Sequence, residues 1–166
     1  PRTAIVGNSS VIASLAAHTA RSSGLDVVSM VDLGPAAPQE ELTDAVSEVL
    51  DDPGVHAVIV VFVPPVAVDT AEYSRALMTA AAECAEPGTK PIVTTFLAVE
   101  GIPIGLSVAG PGGVPTRGSI PSYPTPERAA HALALSWRYS EWRSRPDSVE
   151  VELRLDDGRW RIWGWS

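Results

Sequence analysis

Largely apolar, β-rich runs stand at 3–6, 27–33, 57–63 and 92–97, separated by stretches where apolar positions recur every three or four residues. Runs of that length without strict alternation suit strands buried on both faces, and the 3.6-residue recurrence suits helices lying over them. Strand and helix alternate. The pattern therefore predicts parallel strands joined by helical crossovers, a doubly wound α/β sheet.

Start and stop signals place the helices. The first is expected over 10–22, with Ile12, Leu15, Ala16 and Thr19 inward, Ser9 or Ser10 as cap and Gly24 beyond its end. The second begins near Pro38 and sets Leu42, Ala45, Val46, Val49 and Leu50 against Glu40, Glu41, Asp44 and Glu48 on the opposite face. The third starts at Asp69 or Thr70, buries Tyr73, Ala76, Leu77, Ala80 and Cys84, and stops before Pro87. In the fourth, Thr125 caps, Pro126 takes the first helical position and Glu127 complements the dipole; Ala129, Ala132, Leu133, Ser136 and Trp137 form its stripe.

Between Gly101 and Tyr123, six Gly and four Pro predict an exposed loop, with a short fifth strand at 119–122. Past Pro146 the period changes to two. Val149, Val151, Leu153 and Leu155 alternate with Glu150, Glu152 and Arg154, and Asp156-Asp157-Gly158 leads into Trp160, Arg161, Ile162, Trp163 and Trp165. That is a β-hairpin pattern. The expected division is a body over 1–146 and a hairpin tail over 147–166.

Charge narrows the partners. Twenty acidic and twelve basic side chains give a net charge of -8, and acidic residues interleave with the basic ones clustered between Arg128 and Arg161. No nucleic-acid partner is expected. Cys84 is the single cysteine, so no intramolecular disulfide can form, and a cytoplasmic location is expected. Pro64 and Pro65 interrupt the longest apolar stretch well short of the ~20 residues of a membrane span. The chain opens on Pro1 and enters a strand almost at once, which suggests a piece of a longer polypeptide.

In an open parallel sheet, ligands bind beyond the carboxyl ends of the strands. There the sequence places Gly7-Asn8-Ser9-Ser10, Asp32, Pro64-Pro65 and, past the fourth strand, Glu100. Gly7 allows a tight turn, and Asn8 to Ser10 bring amide hydrogens, two hydroxyls and a helix dipole to one spot, a composition suited to phosphate. The same residue types also serve simply to cap helices, and Asp32 can bond its own backbone. The loop is neither a Walker loop nor a dinucleotide fingerprint. His18, His56 and His131 stand at no metal-ligand spacing, so no metal is expected, and no Gly-x-Ser-x-Gly elbow is present.

In order along the chain, Ala4-Ile5-Val6-Gly7-Asn8-Ser9-Ser10, Met30-Val31-Asp32-Leu33-Gly34 and Leu50-Asp51-Asp52-Pro53-Gly54-Val55-His56-Ala57 are followed by Lys90-Pro91-Ile92-Val93, Phe96 to Gly101 and Ile120-Pro121-Ser122-Tyr123-Pro124-Thr125-Pro126-Glu127. This succession resembles the flavodoxin-like CoA-ligase domain of the succinyl-CoA synthetase and ADP-forming acetyl-CoA synthetase superfamily. The closing helix, with Arg138-Tyr139 and Glu141-Trp142-Arg143, is similar to actinobacterial acyl-CoA synthetases, some of them fused to a protein acetyltransferase domain.

The resemblance implies a part in a reversible, nucleoside-diphosphate-forming reaction. Acyl-CoA, phosphate and ADP become carboxylate, CoA and ATP through an acyl phosphate and a phosphohistidine. It implies no cofactor bound by this domain alone, a parent enzyme using CoA, ADP or ATP, phosphate and Mg, and partner domains that bind CoA, carry the phosphohistidine and supply an ATP-grasp fold. Gly7, Asn8, Ser9 and Ser10 would be the phosphate loop. Pro64 and Pro65 depart from the superfamily's glycine pair and remove amide hydrogens there.

No residue is assigned a catalytic role, and the phosphoacceptor histidine segment is absent. A catalytically silent packing or regulatory module remains the alternative, and a flavodoxin-type flavin or nucleotide binder rests on fold analogy alone. The hairpin offers a route to a homodimer.

Overall fold

The computed structural model describes residues 1–63, 70–96, 100–145, 152–156 and 159–163. Strands β1 (Arg2–Gly7), β2 (Asp26–Asp32), β3 (Ala57–Phe62) and β4 (Ile92–Phe96) form one parallel sheet in the order β2-β1-β3-β4. Between and after them run α1 (Ser10–Ser22), α2 (Gln39–Asp51), α3 (Thr70–Glu83) and α4 (Pro126–Arg143). Helices α1 and α4 cover one face and α2 and α3 the other. The result is the three-layer, Rossmann-like α/β arrangement that the alternation predicts.

β3 is buried at every position, as a central strand clad on both faces should be. β2 differs. Asp26, Val28, Met30 and Asp32 are exposed and alternate with half-buried residues, because β2 is the edge strand and α1 covers it incompletely.

On the α2–α3 side the core is built of large residues: Leu42, Val46, Leu77, Phe62 and Phe96, with the Phe62 and Tyr73 rings 4.2 Å apart. The predicted inward stripes of α2 and α3 hold there residue for residue. On the other side the inward residues are small. Ala13, Ala16, Ala17 and Ala20 of α1 and Ala129, Ala130, Leu133 and Ala134 of α4 are buried, whereas Leu15 is 40% exposed, Ser136 is exposed and Trp137 is only half buried. The stripes read around Leu15 and Ser136 are therefore rotated from the true faces. Alanine faces let both helices lie close to the sheet and to each other, and Ser23 Oγ meets His131 Nδ1 at 2.9 Å across that contact.

The Gly- and Pro-rich stretch is more anchored than a plain surface loop. Leu106 and Ile120 are buried in the α2–α3 core and joined by the Ile120 N–H to Leu106 carbonyl bond of 2.8 Å. The expected fifth strand at 119–122 is reduced to one rung. Ser122 bridges Thr94 in parallel, with Thr94 N–H donating to the Pro121 carbonyl and Tyr123 N–H to the Thr94 carbonyl. Before that rung the backbone leaves β4 and bonds within its own loop instead.

In the tail, β5 (Glu152–Asp156) and β6 (Arg159–Trp163) pair antiparallel, with Leu153 opposite Ile162 and Leu155 opposite Trp160. They form a two-stranded sheet separate from the main one. Residues 157–158, the tail's opening with Val149 and Val151, and its end with Trp165 lie outside the described residues.

Candidate functional site

The loop after β1 sits at the carboxyl end of the sheet, between the exits of β2 and β3: Gly7 is paired with Asp32 on one side and Val61 on the other. Gly7 belongs to β1 and its φ is not positive, so the turning freedom expected of it is not what the site uses. Its glycine is needed for close approach. A Cβ there would lie 2.8 Å from the Val61 carbonyl oxygen and 3.3 Å from Val61 Cβ.

Asn8 is buried and committed to the scaffold. Its Oδ1 accepts from the Val63 N–H and its Nδ2 donates to the Val63 carbonyl, both at 2.8 Å, while its own N–H donates to the Val61 carbonyl at 3.3 Å. The side chain is thus spent on joining the ends of β1 and β3. Of the four loop residues expected to face a ligand, Ser9 and Ser10 remain, half buried and exposed respectively.

Ser9 takes the N-cap position of α1 in an extended conformation, but no side chain caps the helix and its first turn holds no acidic residue. The amides of the first turn, from Ser10 to Ile12, therefore have no intrahelical acceptor, and the positive end of the helix dipole opens at the same point. α4 shows the contrast: the Thr125 hydroxyl accepts from the Arg128 N–H and Glu127 lies in its first turn.

The remaining candidates separate. Asp32 Oδ1 accepts from the Gly34 N–H at 3.0 Å, closing a turn on its own backbone, and the exposed carboxylate stands one strand from Gly7. Glu100 lies past β4 and pairs with Arg128 at 3.4 Å, both side chains about two-thirds exposed, so it belongs to the start of α4. Pro64 and Pro65 lie outside the described residues. Among the described residues no group of three His, Cys, Asp or Glu is placed to hold a metal ion, and no helix is long and apolar enough to cross a membrane.

A cavity of about 350 Å³ lies at the opposite, amino end of β4, bordered by Cys84, Thr89, Lys90, Arg117, Ser119 and Ser136. Its lysine is occupied: Lys90 Nζ donates to the Leu50 and Asp52 carbonyls, closing the carboxyl end of α2. Sequence patterns gave no sign of this space, because it opens where residues before Pro121 diverge from β4.

No family model matches the chain, and no curated protein matches its sequence. Solved structures do share its fold. The dinucleotide-forming acetyl-coenzyme A synthetase 1 of Ca. Korarchaeum cryptofilum, in its apo form, superposes with a TM-score of 0.67 at 18% identity over 86% of this chain and 34% of that one. The same enzyme in complex with phosphate and ADP gives a TM-score of 0.66 at 18% identity over the same shares of the two chains. The protein PH0766 from Pyrococcus horikoshii OT3 gives 0.63 at 21% identity over 84% and 36%. The present chain spans about a third of the length of these neighbours. At such identities the likeness shows the fold alone, one that the acetyl-coenzyme A synthetase contains within about a third of its length.

Proposed function

We propose that the chain is the CoA-ligase-type domain of a nucleoside-diphosphate-forming acyl-CoA synthetase, and that it presents the amino end of α1 to a phosphoryl group carried by another part of that enzyme. One observation carries the reading: the uncapped first turn of α1, at the carboxyl end of β1 and with no acidic residue in it. The fold it shares with an acetyl-coenzyme A synthetase supports the same assignment.

In this reading the domain moves no proton and forms no bond. Its amides from Ser10 to Ile12 and its helix dipole favour an anion by about 0.3–1 kcal/mol, and by up to about 2 kcal/mol once a partner surface excludes water. The Asn8 clamp fixes the direction in which that helix end points. CoA, the nucleotide, Mg and the phosphohistidine belong to the other domains.

Titration of the chain with inorganic phosphate, followed by amide NMR, tests the site. Shifts centred on Ser9 to Ile12 that vanish in Ser10→Asp are expected, since the new carboxylate competes for the same amides. Asp32→Asn should strengthen the binding by removing a neighbouring negative charge. Shifts spread over the surface and indifferent to both changes would overturn the reading.

A packing or regulatory module is the second reading, and Val11 favours it. This residue, 74% exposed on the first turn of α1, and Leu15, 40% exposed one turn on, form a small apolar pair that contact with a protein surface would cover. In that case Ser10→Asp leaves the activity of the full-length parent unchanged.

A further inference from the structure

Beyond β4 the main sheet is left half finished. In a parallel ladder, successive residues turn their backbone groups to opposite sides. The Val58 N–H donates to the Pro91 carbonyl, so Pro91, Val93 and Thr95 face β3, and Ile92, Thr94 and Phe96 face outward. There Thr94 is bonded to Pro121 and Tyr123, and the Phe96 N–H donates to the Ser122 hydroxyl. Ile92 has no such partner: among the described residues, nothing bonds its outward N–H or carbonyl.

The course of the loop explains the gap. Ile120 is drawn into the α2–α3 core, where its N–H donates to the Leu106 carbonyl instead of lying along β4. The wedge left between β4 and residues 117–121 is the cavity of about 350 Å³. Leu50, Ala81 and Cys84 line it from the α2–α3 layer, and Tyr123 and Leu133 from the α4 layer. A second recess of about 320 Å³ adjoins it, sharing Ala81, Gly88, Arg117 and Gly118.

We propose that a short extended peptide of a partner protein fills this wedge as a fifth strand, its backbone pairing with the N–H and carbonyl of Ile92 and a carboxylate side chain meeting Arg117. An unpaired donor and acceptor on one residue match a peptide, which offers both at strand spacing, better than a ligand with acceptors alone. Side chains of an added strand point alternately to its two faces, and here both faces are apolar. From Lys90 to Val93 the strand rises about 10 Å, so the wedge takes about three residues.

Charge selects the carboxylate. Lys90 and Arg117 outnumber Glu86 on the lining, in a chain of net charge -8. Lys90 is engaged by the end of α2, but the exposed Arg117 spends one N–H on the Gly88 carbonyl and leaves most of its fork for an acidic partner.

Amide exchange read by NMR tests the open rung first. In the free chain the Ile92 amide should exchange at least about tenfold faster than those of Val93 and Thr94. The probes are two blocked pentapeptides of alternating alanine and valine, one with glutamate at its first position and one with glutamate at its last. One of them is expected to slow exchange at Ile92 to the level of Val93 and to shift residues 90–93 and 117–120. Hexanoate, which has an apolar chain and a carboxylate but no N–H, should not protect Ile92.

Methylation of the peptide nitrogens separates strand addition from loose burial. Methylating one alternate set of N–H groups should abolish binding and methylating the other should not, because only one set faces β4. Replacing the glutamate by glutamine should weaken binding about two- to fivefold with the native chain and leave it unchanged with Arg117→Gln. An Ile92 amide already protected in the free chain, no binding by either peptide, equal tolerance of both methylated sets, or hexanoate protecting Ile92 as well as the peptide does would each overturn the proposal.

Discussion

Asn8 and Val63 grip each other through two hydrogen bonds, carboxamide to peptide, each 2.8 Å long. The contact joins the exits of β1 and β3 and so sets the direction of α1. Asn8→Ala would leave the N–H and carbonyl of Val63 without their partner, and a loss of about 2–3 kcal/mol is expected in urea unfolding. Ser10→Ala, on an exposed residue that caps nothing, should stay within about 0.5 kcal/mol of the native chain. Equal stability of the two variants would contradict the clamp.

Gly7→Ala should destabilise through crowding. The added carbon meets the Val61 carbonyl oxygen at 2.8 Å, and the backbone of a central strand cannot step aside. A penalty of about 1–3 kcal/mol in thermal or chemical unfolding is expected. An unchanged midpoint would show that β1 and β3 can separate at this rung.

Neighbouring threonines on β4 should respond with opposite signs. Thr94 Oγ1 donates to the Val60 carbonyl at 3.0 Å, whereas the fully buried Thr95 Oγ1 has no partner among the described residues. Thr94→Val should therefore lower stability by about 1 kcal/mol, and Thr95→Val, which removes an unpaired hydroxyl, should raise it by about 1 kcal/mol. Paired denaturation curves read both at once; a loss at both positions would mean that the Thr95 hydroxyl is satisfied.

Lys90 acts as a bolt between elements distant in sequence. Its ammonium takes the Leu50 and Asp52 carbonyls at the end of α2, each at 2.6 Å. Lys90→Met keeps the stem and removes the donors, and should cost about 1–2 kcal/mol. Amide exchange in the last turn of α2 should accelerate while that of α3 does not. The exposed Glu100–Arg128 pair makes a control, since Glu100→Gln should change stability by less than about 0.5 kcal/mol.

The sheet and the α2–α3 layer were legible in the sequence because large apolar residues carry them. Leu42, Val46, Tyr73 and Leu77 recur at helical spacing and are buried where the recurrence puts them. The faces of α1 and α4 were harder to read. Alanine signals little by itself, so Leu15 and Trp137 drew the inferred faces toward positions that are exposed or half buried.

At the candidate loop, its place at the carboxyl end of the sheet was legible, but not what each side chain does there. That Asn8 is bound to a residue 55 positions away, and that Gly7 exists for Val61, are facts of strand order, which no local pattern encodes.

The alanine faces also make the two halves of the core unequal before mutation. Ala13, Ala16, Ala17 and Ala20, with Ala129, Ala130 and Ala134, have no methylene left to lose, so nearly every substitution there adds atoms to a closed space. Leu42, Val46 and Leu77 across the sheet can shrink, leave a gap and be refilled by a neighbour. One layer can drift by trading volume among its members. The other can accept change only by lifting a helix off the sheet, and α1, whose uncapped first turn is the proposed phosphate contact, is one of the two it would lift.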